Sequence, residues 1–201
     1  MPRWLKFSVI PAIIVISLIA GIMVARYRTA SAVATGKPVA ITQLPEFSLN
    51  DLQGRPRAIS EWRSKFLLLN FWATWCAPCR REMPLLQTIH HERAALGFAV
   101  VGIAIDRADQ VQSFVAESGV NYPILVGQDD AMQLAETLVP DFVALPLSVI
   151  VAPGGDILTI HLGELSPADL RRIVAIADGL VQGKWSIPEA RLQLENGLKR
   201  R

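Results

Sequence analysis

The spacing of apolar residues changes along the chain, and the changes predict strands that alternate with helices. Residues 66–72 and 98–105 are continuous apolar runs of strand length, which suit strands covered on both faces. Residues 77–95 instead carry apolar side chains every three to four positions, as a helix with one buried face does. Shorter segments continue the alternation: a strand at 57–59, helices at 111–117 and 131–138, strands at 124–126, 147–151 and 157–162, and a last helix from Ser166 to about Gln182.

This order of elements predicts an α/β fold, with a mixed central sheet and helices on both of its faces. The globular domain is expected over residues 44–183. Residues 29–43 are rich in Ala, Thr, Ser and Val, which is typical of a short linker. Residues 184–201 form a tail that is compatible with a further helix from Pro188 onward.

The N-terminal region is predicted to anchor the chain in a membrane. Residues 7–25 contain no charged side chain, and as a helix they would be about 28 Å long, close to the thickness of a bilayer's hydrocarbon core. A cleaved signal peptide is the alternative, with a shorter apolar core and a small-residue site directly after it. Residues 30–32 (Ala-Ser-Ala) offer such a site, but Arg26 and Arg28 intervene. The length therefore favours an uncleaved anchor over residues 1–28, with the N-terminus in the cytoplasm.

Charge excludes one class of partner. The net charge is +2, and basic residues concentrate at the two ends of the chain, so the domain between them is mildly acidic. A domain that binds nucleic acid would instead present a basic face. We therefore predict no nucleic-acid partner.

The chain contains two cysteines, Cys76 and Cys79, where a predicted strand meets a predicted helix. A single C-x-x-C pair indicates redox or metal chemistry. Structural zinc needs four ligands, and the remaining soft donors are His90, His91 and His161. His90 and His91 are adjacent, so on a helix they would point about 100° apart and could not both face one metal. The pattern predicts a redox pair and no metal site.

Disulfide exchange needs an ionised thiol that attacks and a second thiol that resolves the mixed disulfide. Cys76 lies at the predicted helix start, where unpaired N–H groups and the positive end of the helix dipole stabilise a thiolate. Cys79 lies one turn inside, which suits the resolving role. Pro78 pre-sets the backbone of the first turn, and the dipeptide Ala77-Pro78 is expected to tune the redox potential.

Two further residues have both a functional and a structural interpretation. Glu82 lies three positions after Cys79 on the same helical face, where a carboxylate could accept or return the Cys79 proton. The alternative is an ordinary exposed helix glutamate. Pro146 precedes a predicted strand, and a trans proline at a strand start is the usual case, because only about 5–6% of such bonds are cis.

The segment 70–84 (NFWATWCAPCRREMP) resembles the active-site segment of the membrane-anchored TlpA/ResA/CcmG (DsbE) group of thiol:disulfide oxidoreductases. The likeness extends over roughly residues 44–183, and residues of about 108–138 match the group's central insertion in character. The resemblance implies a thioredoxin-like fold preceded by an N-terminal transmembrane helix. It also implies a single-pass protein of the bacterial inner membrane, with its catalytic domain in the periplasm.

The resemblance also implies a role for individual residues. Cys76 corresponds to the attacking cysteine, Cys79 to the resolving cysteine and Glu82 to the acidic residue after the pair. Pro84 corresponds to a proline that kinks the active-site helix. The residues implied to contact substrate are Trp75, Leu145 and a cis Pro146. No cofactor is implied beyond the redox-active disulfide itself.

The sequence leaves several functions open. Ordinary thioredoxins carry a buried Asp where this chain has Asn70, so proton handling is expected to fall to Glu82. The leading hypothesis is a reductase of disulfides in exported proteins, supplied by a membrane thiol electron donor, with cytochrome c maturation as one setting. The alternatives are a thiol oxidase, a copper- or haem-handling module, and a thiol peroxidase. A peroxidase would carry Pro-x-x-x-Thr-x-x-Cys, whereas Thr74 stands two positions before Cys76.

Overall fold

The computed structural model describes residues 41–142 and 144–198. The predicted membrane anchor and most of the predicted linker lie outside the described residues. Within those two ranges, the structure contains no helix of the length and apolar character that crossing a bilayer would require.

A seven-stranded sheet forms the centre of the domain, in the order β2-β1-β5-β4-β3-β6-β7. The strands β3, β4 and β5 are mutually parallel, and the other neighbouring pairs are antiparallel, so the sheet is mixed, as predicted. Its strands are β1 (Ser48–Asp51), β2 (Pro56–Ala58), β3 (Phe66–Trp72), β4 (Phe98–Ile105), β5 (Ile124–Gly127), β6 (Leu147–Val151) and β7 (Ile157–Leu162).

Helices cover both faces of the sheet, which confirms the predicted layers. The helices are α1 (Ala77–Arg93), α2 (Ala108–Ser118), α3 (Asp129–Leu138), α4 (Pro167–Val181) and α5 (Ile187–Gly197), with short 3-10 helices at Ile59–Trp62 and Ala94–Leu96. Helices α1, α2, α4 and α5 pack on one face of the sheet. Helix α3 and the first 3-10 helix pack on the other.

The strands buried on both faces coincide with the predicted apolar runs, whereas β1 was missed. Strands β3, β4 and β6 are buried along their whole length, so their sequences are apolar except for Asn70 and Ser148. Strand β1 has four residues that alternate exposed and buried, and three of them, Ser48, Asn50 and Asp51, are polar. It lies between β2 and β5, and it becomes a strand through its pairing with both, because its own composition does not favour one.

The packed core continues beyond residue 183, past the domain end expected from the sequence. Helix α5 buries Ala190 against the sheet face that α1 and α4 cover. Its Arg191 donates from Nε to the Ile157 carbonyl at 2.7 Å and from Nη2 to the Thr42 carbonyl at 3.1 Å. The helix therefore ties the C-terminal region to β7 and to the segment that precedes β1.

Candidate active site

The two cysteines lie in the connection from the central strand β3 to helix α1. Cys76 is the N-cap of α1, and its Sγ accepts a hydrogen bond from the Cys79 backbone N–H at 3.3 Å. A disulfide joins Cys76 to Cys79, with their Cα atoms 5.3 Å apart. Pro78 occupies the first turn, where the N–H that proline lacks would have no helical partner.

The cysteines differ little in exposure while they form the disulfide. Cys79 is fully buried, as the resolving role predicts. Cys76 is only 4% exposed, less than we expected for an attacking thiol. Trp75, directly before it, is 71% exposed, and Ala77, directly after it, is also exposed. A partner that reaches the disulfide from outside would therefore meet the Trp75 side chain.

Pro146 lies at the same edge of the sheet as the disulfide. Strand β6 begins at Leu147, which is the antiparallel partner of Phe71 on β3, so Pro146 is beside the end of β3. The Leu145–Pro146 peptide bond is cis, which confirms the prediction from the resemblance. Pro146 is buried and Leu145 is half-buried.

Glu82 is fully buried on the inner face of α1, so its interpretation as an exposed helix glutamate is wrong. Its Oε1 accepts a hydrogen bond from Asn70 Nδ2 at 2.8 Å, and its Oε2 accepts one from the Leu165 N–H at 2.7 Å. Burial raises the pKa of Glu82 to about 7, because desolvation outweighs the two hydrogen bonds that favour the ionised form. The nearby negative charge of Glu164 acts in the same direction as burial.

Asn70 links Glu82 to the sheet. Its Nδ2 also donates to Ser148 Oγ at 3.1 Å, and Asn70 and Ser148 are paired residues on β3 and β6. Sequence reasoning missed both Ser148 and Leu165. Ser148 is the single polar residue in an otherwise apolar strand, which is a signal that could have revealed it. Leu165 acts through its backbone, for which the sequence carries no signal.

Asp106 is a second carboxylate that sequence reasoning missed. It directly follows β4, the parallel neighbour of β3, so it lies at the edge where the β3–α1 connection begins. Its Oδ2 accepts hydrogen bonds from the Thr74 N–H at 3.0 Å and from Thr74 Oγ1 at 2.6 Å, and its Oδ1 accepts one from the Arg107 N–H at 2.8 Å. Although partial burial disfavours its charge, these hydrogen bonds hold the pKa of Asp106 below its ordinary value.

Pro84 has the position predicted for it. Pro84 lies inside α1, as expected, and its carbonyl accepts a hydrogen bond from Thr88 Oγ1 at 2.9 Å. Among the residues that the structure describes, no group of three or more His, Cys, Asp or Glu side chains is arranged to hold a metal ion.

A sequence model of the AhpC/TSA family matches residues 41–160. The chain belongs to the AhpC/TSA family. Among its curated relatives is the thiol-disulfide oxidoreductase ResA of Geobacillus kaustophilus, which is 30% identical over 129 residues, 64% of this chain and 72% of the relative. The grouping with ResA-type proteins, proposed from residues 70–84, is thereby confirmed.

Solved structures of similar proteins agree with this family assignment. A thiol:disulfide interchange protein of the thioredoxin family from Chlorobium tepidum is 29% identical, with a TM-score of 0.62 over 68% of this chain and 95% of that one. A secreted thiol-disulfide isomerase from Corynebacterium glutamicum is also 29% identical, with a TM-score of 0.62 over 70% and 86% of the two chains. This AhpC/TSA protein is a thiol-disulfide oxidoreductase with a thioredoxin-like fold.

Proposed function

We propose that the protein reduces disulfides in exported proteins, outside the cytoplasm, through the dithiol form of Cys76 and Cys79. The observation that carries the proposal is the fully buried Glu82 carboxylate, with a pKa of about 7, one helical turn after a fully buried Cys79. A buried resolving thiol must lose its proton to react, and Glu82 is a group on the same helix that can take it near neutral pH.

The first step of the reaction is attack by Cys76. When the dithiol is reduced, the N–H groups at the start of α1 stabilise the Cys76 thiolate. This thiolate attacks one sulfur of a substrate disulfide, the substrate S–S bond breaks, and a mixed disulfide with Cys76 forms. The substrate sulfur that leaves takes a proton from solvent.

The second step releases the substrate. The Cys79 thiol transfers its proton to the Glu82 carboxylate, and the Cys79 sulfur attacks Cys76 Sγ. The mixed disulfide breaks, the Cys76–Cys79 disulfide forms, and the second substrate sulfur leaves as a thiolate that is then protonated. Two electrons have passed from the dithiol to the substrate. A membrane thiol electron donor then reduces the Cys76–Cys79 disulfide by the same chemistry in reverse.

Substrate contacts are assigned to the surface around the disulfide. The exposed ring of Trp75 makes apolar contacts with the substrate, and the backbone of Leu145 and cis Pro146 lies alongside the bound substrate chain. Ala77 and Pro78, between the two sulfurs, tune the redox potential. Suitable substrates are exported proteins with disulfides, such as apocytochromes c whose haem-attachment cysteines are joined in a disulfide.

Two observations support a location outside the cytoplasm. Residues 7–25 have the length and apolar composition of a single membrane-spanning helix, which would hold the domain on the periplasmic side of the bacterial inner membrane. The similar isomerase from Corynebacterium glutamicum is a secreted protein. A disulfide reductase has substrates in such oxidising compartments.

The cysteine roles are tested by trapping. In the full chain, Cys79→Ser should accumulate a mixed disulfide with a model substrate, because no thiol remains to resolve it. Cys76→Ser should abolish turnover without trapping. Non-reducing electrophoresis and mass spectrometry of the trapped species measure both outcomes. Equal loss of activity without trapping in either variant would contradict the assigned roles.

The direction of exchange is tested by the reduction potential of the full chain in glutathione buffers, followed by the fluorescence of Trp75. A potential at or below about −220 mV supports a reductase. A potential near −120 mV would mean that the protein oxidises thiols instead.

A further inference from the structure

The segment between β7 and α4 contacts two parts of the active site. The Gly163 N–H donates to the carbonyl of Pro146 at 2.9 Å, and the Leu165 N–H donates to Glu82 Oε2 at 2.7 Å. The residue between them, Glu164, is therefore fixed in the chain between the cis proline and the buried carboxylate.

Glu164 makes its own contact with α1. Its carboxylate pairs with Arg81, which donates from Nε to Oε2 at 3.1 Å and from Nη2 to Oε2 at 2.5 Å. Two consecutive residues of α1, Arg81 and Glu82, thus contact two consecutive residues of the segment, Glu164 and Leu165. One contact is an exposed ion pair and the other is a buried hydrogen bond.

The buried hydrogen bond depends on the course of the segment, because its donor is a backbone N–H. At its C-terminal end the segment is fixed by the first turn of α4, where Ser166 and Asp169 form a capping box. At its N-terminal end it is fixed by the Pro146 carbonyl. Between these ends, the ion pair of Arg81 with Glu164 holds the segment against α1.

We propose that Arg81 and Glu164 are positioning residues for the exchange reaction, whose ion pair keeps the Leu165 N–H on the Glu82 carboxylate while Glu82 and Cys79 exchange a proton. The proposal rests on the proposed function, because it assigns Glu82 the proton that Cys79 loses. Neither positioning residue touches the reacting sulfurs in this assignment.

The charged and titratable groups around Glu82 determine in which direction its pKa should move when the ion pair is lost. They are Arg81 on α1, the Cys79 thiol once the disulfide is reduced, Glu164 on the segment, the buried phenol of Tyr122, and His161, the cross-strand partner of Ser148. Loss of the Arg81 charge would loosen the Leu165 hydrogen bond and leave the Glu164 charge without its cation. Both changes favour the protonated form of Glu82.

The test uses Arg81→Gln in the full chain, with two measurements. The Glu82 carboxyl is titrated by carbon NMR, and the pH profile of substrate reduction is recorded in parallel. We expect both to move upward by about half a pH unit, the size that an exposed ion pair allows. In the reversed pair R81E/E164R, the contact is restored with opposite polarity, and the upward shift should disappear.

The matched control is Arg93→Gln. Arg93 also joins α1 to α4, donating from Nη1 to the two carboxylate oxygens of Asp178 at 3.0 and 3.1 Å, at the end of α1 far from the disulfide. Its loss should leave the Glu82 titration unchanged. The proposal is overturned by an unshifted Glu82 titration in Arg81→Gln, by an equal shift in Arg93→Gln, or by a shift that the reversed pair does not remove. A shifted Glu82 titration with an unshifted rate profile would instead contradict the proton role of Glu82 while supporting the positioning role of the pair.

Discussion

Two carboxylates flank the disulfide and receive similar hydrogen bonds, yet their proton affinities move in opposite directions. Asp106 accepts from the N–H and hydroxyl of Thr74, on the segment before Cys76, and from the N–H of Arg107, the next residue in the chain. Glu82 accepts from one backbone N–H and one side-chain amide, one turn beyond Cys79. The pKa of Asp106 is lowered, whereas the pKa of Glu82 is raised to about 7.

The difference between Asp106 and Glu82 lies in burial. Asp106 keeps part of its surface in water, so three hydrogen bonds outweigh the loss of hydration. Glu82 is fully buried, and two hydrogen bonds do not compensate for lost hydration. Asp106 therefore remains charged at neutral pH and suits a structural role in the loop. Glu82 changes charge near neutrality and suits proton transfer.

Among the substitutions, Glu82→Gln is expected to change the pH dependence of stability and exchange most. Because the pKa of Glu82 is raised from 4.5 to about 7 on folding, the folded state holds this proton more tightly than the unfolded state. The free energy of unfolding of the wild type should fall as pH rises from 4.5 to 7, by up to about 3 kcal/mol from this group. In Glu82→Gln this fall should disappear. The exchange rate should also lose the change near pH 7 that the ionisation of Glu82 causes.

Denaturant unfolding of the oxidised protein across this pH range measures the Glu82 contribution. Glu136→Gln is the control, because Glu136 is an exposed residue of α3, which packs on the opposite face of the sheet from α1, so this change should leave the fall in place. An identical pH dependence in wild type and Glu82→Gln would show that Glu82 does not titrate in this range.

An intermediate effect is expected for Asn70→Ala. This change removes one of the two donors to the ionised carboxylate, so the pKa of Glu82 should rise further, and the protein should lose about 2 kcal/mol of stability above pH 7. Ser148→Ala is the matched variant, because Ser148 Oγ accepts a hydrogen bond from the same Asn70 amide group that donates to Glu82. Titration of the Glu82 carboxyl measures the difference. If both variants shift it equally, the direct hydrogen bond from Asn70 is not what sets the proton affinity.

Asp106→Asn is expected to change the protein least. It should weaken the hydrogen bonds from Thr74 and lower the free energy of unfolding by about 1 kcal/mol at neutral pH. Since the pKa of Asp106 is depressed, its stabilisation is present above the ordinary value of 3.8 and is lost as pH falls through the lower folded value. The pH profile of exchange near neutrality should keep its midpoint. Thermal unfolding recorded against pH measures the loss of stability, with the exposed Asp109→Asn as control. The exchange rate recorded against pH locates the midpoint. A moved midpoint would contradict the contrast with Glu82.

The prediction from sequence succeeded where the physical requirement is local. Strands β3, β4 and β6 match the predicted ranges, because strands in the centre of a covered sheet must be largely apolar along their length. The edge strand β7 also matches its predicted range. The start of α1 was also predictable, since Pro78 and the periodic apolar positions after it describe a helix on their own. Strand β1 was not, because its short polar sequence becomes a strand only between β2 and β5.

The reacting pair could be assigned from the residues alone, since Cys76 and Cys79 are neighbours on one helical turn and need no distant residue to meet. The surroundings of the Glu82 carboxyl, by contrast, are created by the folding of the domain. Asn70 is 12 positions away and Leu165 is 83 positions away, and strand order and helix packing bring them to the same carboxylate. Spacing along a helix places Glu82 near Cys79, but hydration is lost only when the sheet and the segment before α4 close over it. For that reason the pattern of residues predicted the chemistry of the site, whereas burial within the folded domain determined the pH at which Glu82 ionises.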